Sequence, residues 1–116
     1  MTDKQILKRV NYWVEKMGLT DFAIEVKVIN APDSQNVAFT MSQPQYRRAV
    51  LTFNMGTPEL LASLDWHITH ELGHVLVGML CRAVTHYVDD SQAKKVLDDL
   101  EDEVVTRIAE IMLREN

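Results

Sequence analysis

A chain of 116 residues, 47% apolar and 25% charged, fits one compact domain over residues 1–116 with a sizeable core, and its composition excludes a disordered or fibrous protein. The formal net charge of -5, with no cationic run longer than Arg47-Arg48 or Lys94-Lys95, argues against a nucleic-acid partner. A single cysteine, Cys81, leaves no intrachain disulfide; the charged start of the chain lacks a signal-peptide core and no apolar run reaches membrane-spanning length, so a cytoplasmic protein with no membrane partner is expected.

Thr2 or Asp3 can cap a first helix, in which Ile6, Leu7, Val10, Trp13, Val14 and Met17 recur at helical spacing before Gly18 ends it. Phe22 to Ile29 alternates at period two and reads as a strand closed by Asn30-Ala31-Pro32-Asp33. Val37 to Met41 is a shorter candidate strand, Gln43-Pro44-Gln45 a turn, and Arg47 to Phe53 a third strand, giving an expected antiparallel sheet. Thr57, Pro58 and Glu59 are the cap, first position and first turn of a helix expected to run to about Leu80. After a loop containing His86 and Tyr87, Ser91 is the expected cap of a last helix with an apolar stripe of Val96, Leu97, Leu100, Val104, Ile108, Ile111 and Met112.

The long helix carries His70-Glu71-Leu72-Gly73-His74. Two histidines four residues apart project from one side of a helix and can share one tetrahedral ion, while the intervening glutamate reaches a water on that ion. In this arrangement His70 and His74 are zinc ligands. Glu71 is the general base that takes a proton from the water as it attacks a peptide carbonyl. The bare pattern would arise by chance roughly once in a few hundred such chains. Its placement adds weight, since Leu61, Leu64, Ile68, Leu72, Val75 and Met79 form the apolar stripe and the histidines fall nearly opposite it. Gly73 and Gly78, poor helix formers, make sense if another segment crosses closely here.

A catalytic zinc site takes a third protein ligand. On the last helix Glu101 falls inside the arc of Leu97, Val104 and Ile108, whereas Asp98, Asp99, Asp102 and Glu103 lie toward its edge or outside, so Glu101 is the expected third ligand, with Glu103 and His86 as competitors. The bland alternative is a solvated acidic face. His67 can hydrogen-bond Glu71 or simply lie on the surface. Cys81 lies two turns beyond His74, too far to share its ion, and reads as a buried small residue. Tyr46, His86 and Tyr87 are possible donors to a developing oxyanion.

With HELGH and a downstream helical Glu101-Asp102-Glu103-Val104-Val105, most of the chain resembles the gluzincin metallopeptidases, in particular their minimal single-domain members and the short metallopeptidase-like proteins of phages and bacteria. The resemblance implies zinc held by His70, His74 and a glutamate, catalysis by Glu71, and a sheet-edge strand near the cleft that binds peptide in extended form. A metzincin would carry a histidine at position 80, where this chain has Leu80, and similarity to SprT-like proteases, which would make His86 a ligand, is poor around that residue. The expected fold is therefore an α+β, zincin-like domain with a small antiparallel sheet, an N-terminal helix, the HExxH helix and a C-terminal helix. The expected activity is zinc-dependent hydrolysis of peptide or protein substrates. The alternatives are a zinc-binding regulatory or phage–host interaction module without turnover, and a structural domain without metal.

Overall fold

The computed structural model describes residues 1–87 and 90–114, with side chains left out at Met79, Arg82, Ala83, Thr85 and His86. Helix α1, Asp3–Lys16, starts as the sequence suggests. The Thr2 hydroxyl accepts from the Gln5 amide at 3.2 Å while the Gln5 side chain accepts from the Thr2 amide at 2.8 Å, a reciprocal cap that satisfies two otherwise orphaned donors. Gly18, at φ +72°, takes the left-handed conformation that ends the helix at no steric cost. The buried face of α1, Ile6, Val10 and Trp13, follows the 3.6-residue period.

Three strands follow: β1 at Ala23–Ile29, β2 at Ala38–Gln43 and β3 at Arg48–Asn54. A single 3-10 turn, Pro44–Tyr46, joins β2 to β3. The sheet is mixed, not antiparallel as expected, with strand order β1-β3-β2; β3 pairs parallel to β1 and antiparallel to β2. The reason lies in the loop after β1, which crosses the end of β3 at Asn54 to the far edge, where β2 starts, so that β3 returns into the place between β1 and β2. Asn54, 1% exposed, fixes that crossing: its side chain accepts from the Ala31 and Gly56 amides and donates to the carbonyls of Ala31 and Asn36. Alternation sets which residues face inward, but it carries no information about strand order.

The expected single helix from Pro58 is two. Helix α2, Pro58–Ala62, ends at Ser63, whose φ -146° and ψ 53° break the helical path, and α3 runs Leu64–His86. The break resets the helical phase, so Leu60 is buried while Leu61, expected in the stripe, is exposed. Leu64, Ile68, Leu72 and Val75 keep their expected place in the core, and the side chain of Met79 lies outside the described residues. They meet α1 and the inward side chains Ala49, Leu51 and Phe53 of β3. At the start of α3, Asp65 accepts from Arg9 at 2.9 and 2.8 Å and from the Trp13 indole at 3.0 Å, tying α1 to α3.

Helix α4, Ser91–Arg114, is capped by Asp90 rather than Ser91, since its carboxylate accepts from the Gln92 amide at 2.9 Å. Its fully buried residues are Val105 and Ala109, whereas Val96, Leu100, Val104 and Ile111 of the expected stripe are exposed. The contact edge thus runs through Glu101, Val105 and Ala109, with Val104 and Asp102 exposed on either side of it. The described residues form a small α+β domain of a three-stranded mixed sheet and four α-helices. Among the described residues no helix is long and apolar enough to cross a membrane.

Candidate metal centre

The HELGH segment sits in the middle of α3, where it meets both α4 and the sheet. Gly73 permits the first contact: a Cβ there would lie 2.9 Å from the Cγ1 of Val105, so only a glycine lets the two helices approach this closely. That approach brings Glu101 and Asp102 of α4 beside His74. Oε2 of Glu101 is 3.1 Å from Nδ1 of His74, and Oδ1 of Asp102 is 3.4 Å from its Nε2, so the imidazole has a carboxylate at each nitrogen.

His70 lies one turn earlier. Its ring stacks on Trp66, 4.8 Å between centroids and 19° between planes, and meets His74 edge-on at 5.0 Å. Its Nδ1 is buried and has no hydrogen-bond partner among the described residues. A buried polar atom without a partner is rare, and an ion or water is its usual missing neighbour. One ligand atom each from His70, His74 and Asp102 falls within 4.8 Å of the others, so these three can close on one cation. The carboxylate in that group is Asp102, where the sequence reading had Glu101; Glu101 stands on the other nitrogen of His74.

Glu71 is 6% exposed. The Thr40 hydroxyl, on edge strand β2, lies 2.6 Å from its Oε1 and 3.2 Å from its backbone carbonyl. Burial raises the Glu71 carboxyl above its usual range, against the Thr40 hydrogen bond and the neighbouring His74, which pull it down. Burial likewise lowers the His70 imidazole, helped by His74 and opposed by Asp102. Both shifts favour the neutral form.

His70, Glu71, His74 and Glu101 line one cleft of about 370 Å³ together with Thr40, Ser42, Gly78, Ala38 and Phe39. The contribution of β2 was missed in the sequence. Its signal was the inward-facing set Ala38, Thr40 and Ser42, small or polar at positions where a core-facing strand would carry bulky apolar residues.

The remaining candidates fall elsewhere. His67 is lowered by burial and hydrogen-bonds the Glu59 backbone, away from Glu71. Tyr46 and Tyr87 are exposed and do not line the cleft. Cys81, expected to be buried, is partly exposed, and its thiol hydrogen-bonds Glu101. Glu103 pairs with Arg107 at 3.4 Å on the outer surface of α4. His86 closes α3, and its side chain lies outside the described residues. Comparison of the chain with protein-family models, curated proteins and solved structures finds no match.

Proposed function

We propose that this chain is a zinc-dependent peptidase domain of zincin type, in line with its resemblance to the minimal gluzincins. The observation that carries the proposal is that His70 and His74 line one cleft with the buried Glu71 and with Glu101 of α4, while Asp102, at the exposed rim of α4 outside that cleft, falls within ligand reach of both histidines. The donor set fits zinc, which takes imidazole nitrogen and carboxylate oxygen at four-coordinate sites, and the partnerless Nδ1 of His70 fits a missing ligand. His70, His74 and Asp102 would hold the ion. Glu101, hydrogen-bonded at Nδ1 of His74, would set the tautomer and orientation of that ring, as carboxylates behind ligating histidines do.

A bound zinc ion supplies Lewis acidity, which makes water nucleophilic near neutral pH and polarises a peptide carbonyl. The chain supplies the proton handling and the substrate seat. Glu71, held at Oε1 by Thr40, keeps its second oxygen to accept a proton from water and pass it to the leaving amine. The open edge of β2 beside the cleft suits an extended peptide, whose backbone would pair with it as an added strand.

The decisive experiment is zinc content and peptide-library turnover of the wild type and Glu71→Gln. Hydrolysis by the wild type, lost in a Glu71→Gln protein that still holds about one zinc per chain, is the expected result. Full turnover in Glu71→Gln would sink the mechanism. Stoichiometric zinc with no turnover in either protein would leave a metal-binding interaction module, and no zinc in either would end the metal reading.

A further inference from the structure

The two histidines of the cleft are held in different ways. His74 has a carboxylate oxygen at each ring nitrogen, Glu101 at 3.1 Å and Asp102 at 3.4 Å. The Nδ1 of His70 is buried and has no hydrogen-bond partner among the described residues. What meets that ring instead is Trp66, four residues earlier on the same side of α3, whose indole lies face to face with it at 4.8 Å between centroids and 19° between planes. The indole is itself confined. The His67 ring stands edge-on to it at 5.1 Å and 86°, and its turn of α3 is anchored to α1 because the neighbouring Asp65 accepts from Arg9 and Trp13. Trp66 is not among the residues that line the cleft, whereas His70 is, so an effect of the indole on the cleft passes through the imidazole.

We propose that Trp66 is a positioning residue, whose indole face holds the His70 imidazole in the plane from which it binds the metal ion, the part that Glu101 plays for His74. The inference rests on the metal reading of the cleft. A ligating ring is ordinarily oriented by a carboxylate or carbonyl at its second nitrogen. Without one, the torsion that turns the ring about its bond to Cβ has broad wells, and packing has to select the angle. A face-to-face neighbour does so, since turning the imidazole out of the common plane drives one of its edges into the indole. The contact also has a sign. An imidazole that gives its lone pair to a dication becomes electron-poor, and an electron-poor ring is attracted to the negative face of an indole. The stack therefore stabilises the loaded form over the empty one, which an aliphatic neighbour in the same place would not do.

The test compares zinc affinity, by competition with a chromophoric chelator, in the wild type, Trp66→Phe and Trp66→Leu, with circular dichroism and urea unfolding of the metal-free proteins as the control on folding. The expected result is about one zinc per chain in all three. Affinity should stay within about 3-fold of the wild type in Trp66→Phe, which keeps an aromatic face, and fall about 10-fold in Trp66→Leu, which does not. Cobalt(II) added to the metal-free wild type should quench indole emission, and that quenching should be largely lost in Trp66→Phe, where Trp13 on α1 is the remaining indole. Equal zinc affinity in the wild type and a folded Trp66→Leu would overturn the proposal and leave the metal site standing. Equal losses in Trp66→Phe and Trp66→Leu, matched by equal losses of metal-free stability, would overturn it as well and make Trp66 a packing residue. No zinc in the wild type would overturn it together with the metal reading.

Discussion

The hydroxyl of Thr40 stands 2.6 Å from Oε1 of Glu71, so a residue on the edge strand holds the carboxylate that the proposed mechanism would use as its base. The contact spans 31 positions in sequence and joins the sheet to the middle of α3. Thr40→Val keeps the shape and removes the donor. It should leave zinc content unchanged, lower turnover by about 10–100-fold through misplacement of Glu71, and cost about 1–3 kcal/mol because a buried acceptor loses its partner. Thr40→Ser should restore most of both. Zinc analysis, steady-state kinetics and urea unfolding of the two variants check this; equal activity in Thr40→Val would mean that the hydrogen bond only supports the fold.

The proposed metal site makes an ordered prediction about its carboxylates. Asp102→Ala should abolish stoichiometric zinc, as should His74→Ala, whereas Glu101→Ala should weaken zinc about 10–100-fold by releasing the His74 ring. The reverse order would make Glu101 the ligand. With zinc in large excess over its dissociation constant, chelation should lower the melting temperature by about 10 °C or more, since a ligand bound only by the native state stabilises it by several kcal/mol.

Asp65 predicts an acid dependence. Burial alone would push its carboxyl up, but hydrogen bonds from Arg9 and Trp13, with the Arg9 charge, together hold it below its usual range. A carboxyl depressed in the native state stabilises the fold fully above the unfolded pKa, about 3.9, and loses that contribution as pH falls through the native value. Asp65→Asn should therefore flatten the stability profile below about pH 4–5. Both side chains of the ion pair are about 40% exposed, so screening limits its own contribution to about 1 kcal/mol. Asp65→Ala should cost about 1–3 kcal/mol, mainly because the buried Trp13 indole loses its acceptor. Urea titrations of wild type and variants between pH 3 and about pH 7 test both statements.

Two glycines on α3 should respond oppositely to alanine. Gly73→Ala drives a methyl to 2.9 Å from Val105 and forces α4 outward; the cost of about 1–3 kcal/mol exceeds the gain in helix propensity of about 1 kcal/mol, and zinc affinity should fall as Glu101 and Asp102 withdraw. At Gly78 the nearest atom is the Ser42 hydroxyl at 3.5 Å, an ordinary contact, so Gly78→Ala should stabilise by about 0.5–1 kcal/mol. Denaturation midpoints of the two variants on opposite sides of the wild type are the expected outcome.

The sequence by itself determined what depends on neighbours along the chain. The Thr2–Gln5 cap and Gly18 set the limits of α1. Alternation assigned the inward faces of the strands, and the i, i+4 step put His70 and His74 on one side of α3 with Glu71 between them. Tertiary structure decided what depends on where elements meet. The order β1-β3-β2 follows from a loop that crosses a strand end under the hold of Asn54, which alternation cannot express. The Ser63 break reset the phase of the apolar stripe and exposed Leu61. Which α4 carboxylates stand beside His74 depended on how α4 packs: the approach of Val105 to Gly73 brings Glu101 to one ring nitrogen and Asp102 to the other. Thr40 reached Glu71 only because the sheet laid its edge strand along the cleft, a long-range pairing that no local pattern encodes.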